Sequence, residues 1–408
     1  MRVVADLHIH SRYSRATSQR MDLPYLAQWA GWKGIDLLGT GDFTHPDWFS
    51  QLKLNLVPLG NGIYRYHGAL FLLTTEVAAV WRQGGMSRRV HFLVLAPDLA
   101  AAGHINQELA RLGNLAADGR PTLRTTGEEL IAAVLAASPA AAVIPAHVWT
   151  PWYAIFGAKS GFDTLEEGLG EGAPWVFALE TGLSSDPPMN WRLSALDRLS
   201  LVSFSDAHSP ARLGREACAF QLPEVSFPAL VSAIADRDPG RFLGTIEFFP
   251  QEGKYHYDGH RACGVVLSPE EARRLGGRCP VCGRPVTCGV LHRVEELADR
   301  PQGFRPPQAI PYCSLVPLEE IIAQALGRGR DTKGVREEYL RLVTHFGSEL
   351  RILLDLPEEE LAWGTPPRIL QGIRQVRAGA VTVLPGYDGA YGAVKLSFAE
   401  DGRPPHRP

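Results

Sequence analysis

The sequence predicts an α/β protein built on a barrel of parallel strands, followed by a small zinc-binding module and a helical C-terminal region. Three observations predict this class. Through residues 1–250, short apolar runs recur, and most end on a His or a carboxylate, with helical patterns between several of them. Over residues 251–300, Cys, His and Gly crowd together. From 301 to 398 the pattern turns mainly helical, and 399–408 is a polar, Pro-rich tail expected to be disordered.

The strand-like runs are, in order, VVADLHIH, GIDLLGTGD, ALFLLTTEV, VHFLVLAP, AAVIPAHV, VFALETG, LVSFSDAH and FLGTIEFFP. Alternate side chains of an extended segment share a face, so Asp6, His8 and His10 of the first run project together. LPYLAQWAGWKG reads as a helix, as does TTGEELIAAVLAAS, where Thr125 or Thr126 caps and acids fill the first turn. Strands alternating with helices imply a parallel sheet. Seven or eight such units with polar groups at the strand ends imply a barrel whose site lies on that face. VHFLVLAP departs from the pattern, because His91 opens the run instead of closing it. Beyond Pro250, KYHYDGHRACGV and GGRCPVCGRPVTCGVLHRV read as a compact metal module. The Pro-rich RPQGFRPPQAIP leads into helical patterns such as VPLEEIIAQALGRG and VREEYLRLVTHFGSELRILLDL, and VTVLPGYDGAYGAVKLSF is strand-like.

A net charge of -3 excludes a uniformly basic surface, so any nucleic-acid contact must be local. No segment is apolar for long enough to span a membrane, and the N-terminus lacks a signal peptide's apolar region. The expectation is a cytoplasmic monomer without a membrane partner. Six cysteines in 408 residues do not suggest a disulfide framework. Cys263, Cys279, Cys282 and Cys288 fall close together, which suggests metal.

Collected at the strand-like runs are His8, His10, Asp42 with His45 nearby, Glu76, His91, His147, Glu180, and Asp206 with His208. Mixed imidazole and carboxylate donors suit two or three borderline divalent ions. Such clusters activate water and stabilise both the attacking and leaving oxygens of a phosphate ester, so the pattern calls for no arginine finger. Metal ligands are expected at His8, His10, Asp42, Glu76, His91, His147, Asp206 and His208, with Asp206, His208, Asp42 and Glu76 closest to catalysis. No general base can be singled out.

These residues carry a resemblance. DLHIHSRYS, the carboxylate after LLGTG, TTEV, VHFLV, IPAHV and SFSDAH resemble the motif series of the polymerase and histidinol phosphatase (PHP) superfamily. The resemblance implies a distorted (β/α)7-type barrel over residues 1–250, holding up to three metals (Zn, Mn or Mg). Many members place a His where TGDFTHP has Asp42, and whether Asp42 or His45 fills that position is open. SRYSRATS, LLGTGDFTHP, ETGLSSDPPMNWRLSALD, KYHYDGHRACG, CPVCG, GVLHRVEELADR and PGYDGAYG, in that order, resemble the endonuclease Q family. That resemblance implies a DNA repair nuclease cutting 5′ of hypoxanthine, uracil, xanthine and abasic sites, with a DNA-binding C-terminal region.

A damaged base must leave the stack or be reached in a distorted duplex, and a pocket must then read its keto edge. WRQGGMSRRVH offers Arg82, Arg88 and Arg89 around a Gly-rich turn. SSDPPMNWRLS offers Asp186, Asn190, Trp191 and Arg192, a mix suited to stacking and hydrogen bonding. A surface loop and an N-capped helix explain the same stretches. Trp149, Trp152 and Tyr153 place aromatic faces around His147.

HRAC followed by CPVCG gives His260, Cys263, Cys279 and Cys282, four ligands with no open position, which favours structural zinc. His256, Cys288 and His292 are each an alternative to His260. Arg261, Arg273, Arg274 and Arg278 lie near this module, and Arg368, Arg374 and Arg377 share one C-terminal helix, but acids balance the former and a solvated face explains the latter. Competing readings are a small-molecule phosphatase, which leaves residues 251–400 without a task, and a non-catalytic DNA-binding accessory module, which the full set of ligand positions disfavours. A sliding clamp is a partner class left open, with no evident motif.

Overall fold

The computed structural model describes residues 1–398, so the tail 399–408 lies outside the described residues. The first strand, Arg2–Asp6, lies parallel to Leu37–Gly39 on one side and antiparallel to Ala217–Gln221 on the other. Leu37–Gly39 continues parallel to Ala69–Gln83, which pairs antiparallel with Met86–Ala96, and that strand pairs antiparallel with Ala142–Pro145. Ala178–Glu180 and Ser200–Val202 form a separate parallel pair. They join the ring through Val148 N to Glu180 O (3.0 Å), Ser203 Oγ to Ile246 O (3.0 Å) and His10 N to Ala207 O (3.0 Å). Small and branched side chains such as Ala5, Leu7, Leu37, Leu93, Ile144 and Val202 fill the interior.

The ring is mixed where a parallel one is expected, and the reason is local. The run through Glu76 does not end at the site; it continues to Gln83 and returns from Met86. Gly84 and Gly85, at φ 60° and 77°, make the two-residue turn that joins them, and a hairpin connection forces antiparallel pairing. His91 opens its run because that run is the returning arm. Ala217–Gln221, from a stretch not read as a strand, pairs antiparallel with both Arg2–Asp6 and Phe242–Glu247.

Helix Leu23–Lys33 starts where the Asp22 side chain accepts from Tyr25 N and ends at Gly34, whose φ of 85° turns the chain away. Thr126, and not Thr125, caps Gly127–Ala137, in a capping box with Glu129. The module beyond the ring holds a hairpin of Asp258–His260 with Val265–Leu267, then helices Pro269–Arg274 and Val290–Leu297. The C-terminal helices are Leu318–Leu326, Lys333–Phe346, Glu358–Gly364 and Pro367–Arg377, and Tyr312–Ser314 before them joins the ring's sheet beside Phe242–Glu247. They dock through a buried ion pair, Lys33 Nζ to Glu349 Oε2 at 2.6 Å. Glu349 also accepts from Tyr339 Oη (2.9 Å) and Leu318 N (3.0 Å). Among the described residues no helix is long and apolar enough to cross a membrane.

Candidate metal centre

Two donor groups converge where the strands end. His8, His10, Glu76 and Asp206 form one, and Glu76, His91 and His147 the other; within each group the donor atoms lie within 4.8 Å of one another. Glu76 joins them. Its Oε2 is 3.5 Å from His8 Nε2 and 3.2 Å from His10 Nε2, and its Oε1 is 2.6 Å from His91 Nδ1 and 2.9 Å from His147 Nε2. His8 Nε2, His10 Nε2 and Asp206 Oδ1 are buried without a well-aligned hydrogen bond, although His10 Nε2 and Asp206 Oδ1 face each other at 3.0 Å. Buried polar atoms without partners are costly, by about 1–3 kcal/mol each. Three of them facing one point fit divalent ions bound by imidazole and carboxylate.

The imidazoles are aimed from behind. His8 Nδ1 lies 2.8 and 2.9 Å from the two oxygens of Glu180, which also accepts His147 N at 2.9 Å. His10 Nδ1 lies 2.9 Å from Asp42 Oδ1, and Asp42 Oδ2 accepts from Ser11 N (2.6 Å), Ser11 Oγ (2.7 Å) and Ser14 Oγ (2.9 Å). A carboxylate holding one ring nitrogen as N–H leaves the other with its lone pair for an ion. Burial raises Asp42, but His10 and the Ser11 hydrogen bonds bring it below the usual carboxylate range. Burial likewise raises Glu76, and His91, Arg120 and His8 bring it well below. Burial lowers His91 to about 4, outweighing Glu76, and a neutral imidazole is the form that binds metal.

Asp42, His147 and Asp206 stand at φ 50°, 32° and 46°, a left-handed backbone that disfavours side chains. Such strain concentrates at functional sites, and here it turns each residue out of its strand end. Asp6 does not join the donors: its oxygens accept Ser205 N (3.0 Å) and Gly214 N (2.9 Å), which anchors the loop carrying Asp206. Asp42 sits behind His10, outside both donor groups. His208 is also outside them, at the rim, with its ring 4.5 Å from that of His10 and Nδ1 donating to Asp206 O (2.9 Å). His45 stacks on Tyr13 at 4.4 Å.

One site residue escaped the sequence reading. Arg120 Nη1 lies 3.2 Å from Glu76 Oε2. It comes from the polar stretch ADGRP between strand-like runs, where neither period nor motif singles it out.

The second cluster is compact. His260, Cys263, Cys279 and Cys282 bring their donor atoms within 4.8 Å of one another, and Cys282 Sγ is 3.5 Å from His260 Nδ1. Burial raises the Cys279 thiol, but the Cys282 and Val281 backbone amides bring it down to about 6, toward the thiolate that binds zinc. Asp258, Cys288 and His292 form a separate group, in which His292 Nδ1 and Gly289 N donate to Asp258 at 2.8 and 2.9 Å; His256 belongs to neither.

The candidate base-reading residues divide by exposure. Arg82 is exposed at the hairpin tip, with Nη2 3.4 Å from Gly85 O. Arg88 is pinned: it donates to Gly161 O and lies 4.2 Å from the Phe162 ring centroid. Asp186 caps Pro187–Asn190 by accepting Met189 N (3.0 Å), and burial raises it to about 6. Asn190 is buried and accepts Trp149 Nε1 at 2.8 Å, next to His147. Trp191 lines a cavity of about 300 Å³ with Pro306–Ile310. Arg192 pairs with Glu295 of the zinc module at 3.6 Å. Trp149 is core, Trp152 is 41% exposed, and Tyr153 packs 4.6 Å from the His91 ring.

Buried His and carboxylate donors converge at the strand ends of a mixed α/β ring of the PHP type, a set whose chemistry suits divalent ions. Residues 317–380 match the family described as the MJ0043 C-terminal domain. The crystal structure of the lesion-specific endonuclease PfuEndoQ from Pyrococcus furiosus is similar over 97% of this chain and 96% of that one, at 33% identity and a TM-score of 0.87. A structure of endonuclease Q with a 27-mer duplex bearing an abasic lesion at its active site is similar over 97% of both chains, at 33% identity and 0.86. An uncharacterized protein of Methanocaldococcus jannaschii, MJ0043, is 32% identical over 263 residues, 62% of this chain, and the match spans 31% of that protein's length. The chain belongs to the endonuclease Q family.

Proposed function

We propose that this protein is a metal-dependent DNA repair endonuclease that hydrolyses the phosphodiester 5′ of deaminated bases (hypoxanthine, uracil, xanthine) and of abasic sites. The observation that carries the reading is the end-to-end similarity to an endonuclease Q bound to duplex DNA with an abasic lesion at its active site. The converging donors are its chemical counterpart. His8, His10, Glu76, Asp206, His91 and His147 would hold the ions, with Glu180 and Asp42 fixing the first two rings. When bound, divalent ions supply Lewis-acid charge and a nucleophile at neutral pH. His208 stands at the rim with a partly exposed ring, on the side of the centre from which DNA would approach. Asn190 holds Trp149 beside the centre and Arg192 joins the zinc module, whereas Trp191 on its cavity and Arg82 on the projecting hairpin are the base- or backbone-contacting candidates.

The test is a nicking assay on end-labelled duplexes carrying one deoxyinosine, deoxyuridine or abasic site, with an undamaged control and a chelator lane. A single metal-dependent nick immediately 5′ of the lesion is expected. Turnover of a phosphate monoester with no nick on any lesion across Mn, Mg and Zn would overturn the proposal in favour of a small-molecule phosphatase.

A further inference from the structure

Arg120 stands in a place that a site for cations alone would avoid. A guanidinium has five donors, no lone pair and a permanent positive charge, so it cannot ligate an ion and it lowers the affinity of any ion beside it. Yet its Nη1 is 3.2 Å from Glu76 Oε2, the carboxylate common to both donor groups. Its side chain is 25% exposed, and among the described residues its other guanidinium N–H groups have no protein partner. It therefore reaches from the centre toward the opening with donors to spare.

The loop that delivers it is built, not loose. Asp118 Oδ1 accepts both Arg120 N (3.0 Å) and Arg15 N (3.2 Å), tying this loop to the one after His10. Gly119 N donates to Tyr13 O (3.0 Å), Thr44 Oγ1 lies 3.3 Å from Gly119 O, and Ala78 N donates to Pro121 O (2.9 Å). Gly119 lies so close to the centre that a Cβ there would be 2.4 Å from Asp42 Oδ2 and 2.5 Å from Ser14 Oγ. The Asp42 and Ser14 side chains that aim His10 thus also bound the loop that carries Arg120.

We infer that Arg120 is a catalytic residue that donates to a non-bridging oxygen of the scissile phosphate, and that its pairing with Glu76 parks it until that anion arrives. With Glu76 shared between both donor groups, an incoming anion gives this charge a second partner, and planar N–H donors match phosphate oxygens. The substrate class rests on the endonuclease reading; the phosphate contact does not require DNA.

The test compares Arg120→Gln and Arg120→Lys with wild type in three measurements: metal content after dialysis, affinity of the metal-loaded protein for inorganic phosphate by calorimetry, and single-turnover nicking of an abasic duplex. Expected for Arg120→Gln are unchanged or tighter metal binding, phosphate affinity weaker by about tenfold or more, and a rate lower by about 100- to 1000-fold, the range for removing one charge-stabilising donor. Arg120→Lys should regain part of both losses. Loss of metal from Arg120→Gln, or unchanged phosphate affinity, would overturn the assignment and leave Arg120 a counter-charge for Glu76. If wild type nicks no DNA while Arg120→Gln still loses phosphate, the endonuclease reading fails and the phosphate contact stands.

Discussion

Replacing Glu180 by Gln tests whether the centre is aimed from behind. Glu180 accepts from two donors, His8 Nδ1–H, shared between its oxygens at 2.8 and 2.9 Å, and His147 N at 2.9 Å. Glutamine keeps one acceptor oxygen and turns the other into an N–H donor. If the oxygen stays with His147 N it keeps its 2.9 Å contact to His8 Nδ1, but the 2.8 Å acceptor becomes an amide that faces His8 Nδ1–H, donor against donor. His8 then either swings away or shifts its proton to Nε2, and a protonated Nε2 has no lone pair for an ion. Hydrogen bonds to a charged acceptor are worth about 1.5–3 kcal/mol, so the loss corresponds to roughly 10- to 100-fold in metal affinity. The assay is a metal titration followed by content analysis, run beside nicking rates at rising metal concentration. Activity should fall at limiting metal and recover in part at saturation. Wild-type metal affinity in Glu180→Gln, with His8→Ala losing metal in the same assay, would refute the aiming argument.

Further outcomes follow from the same geometry. Cys279→Ser should lose one equivalent of zinc and loosen residues 251–300 in hydrogen exchange, with barrel metal content unchanged. Lys33→Met leaves the Glu349 carboxylate buried without its counter-charge and should destabilise by about 3–5 kcal/mol in denaturant unfolding, with Glu349→Gln added to it recovering part of that loss. Burial raises Glu247 from 4.5 to about 8, so the folded chain keeps a proton that the unfolded chain releases. That stabilisation is complete below about pH 4.5 and is lost as pH rises toward 8. Between pH 6 and 9 the melting temperature of wild type should therefore fall more than that of Glu247→Gln.

What the residue pattern determined by itself was the inventory. The period-two HxH, the apolar runs ending in His and carboxylate, and the paired HxxC and CxxC are local signals, because ligand chemistry and strand or knuckle geometry act over a few residues. Six of the predicted metal donors meet in the two donor groups of the ring, and the four zinc-module donors meet in theirs. The antiparallel arm after Glu76 was half legible: the Gly84–Gly85 turn and the position of His91 were both visible, but strand direction depends on which neighbour the strand finds. Only the tertiary structure decided which donors converge and which stand behind them. Asp42 reads like a ligand in one dimension and Glu180 stands among the same strand-end residues, yet packing places them against His10 Nδ1 and His8 Nδ1. Arg120 was illegible, because its role arises from a loop pressed onto Asp42, Ser14 and Tyr13, contacts that join positions about a hundred residues apart. Local chemistry is written along the chain; the partner on the far side of a site is set by packing.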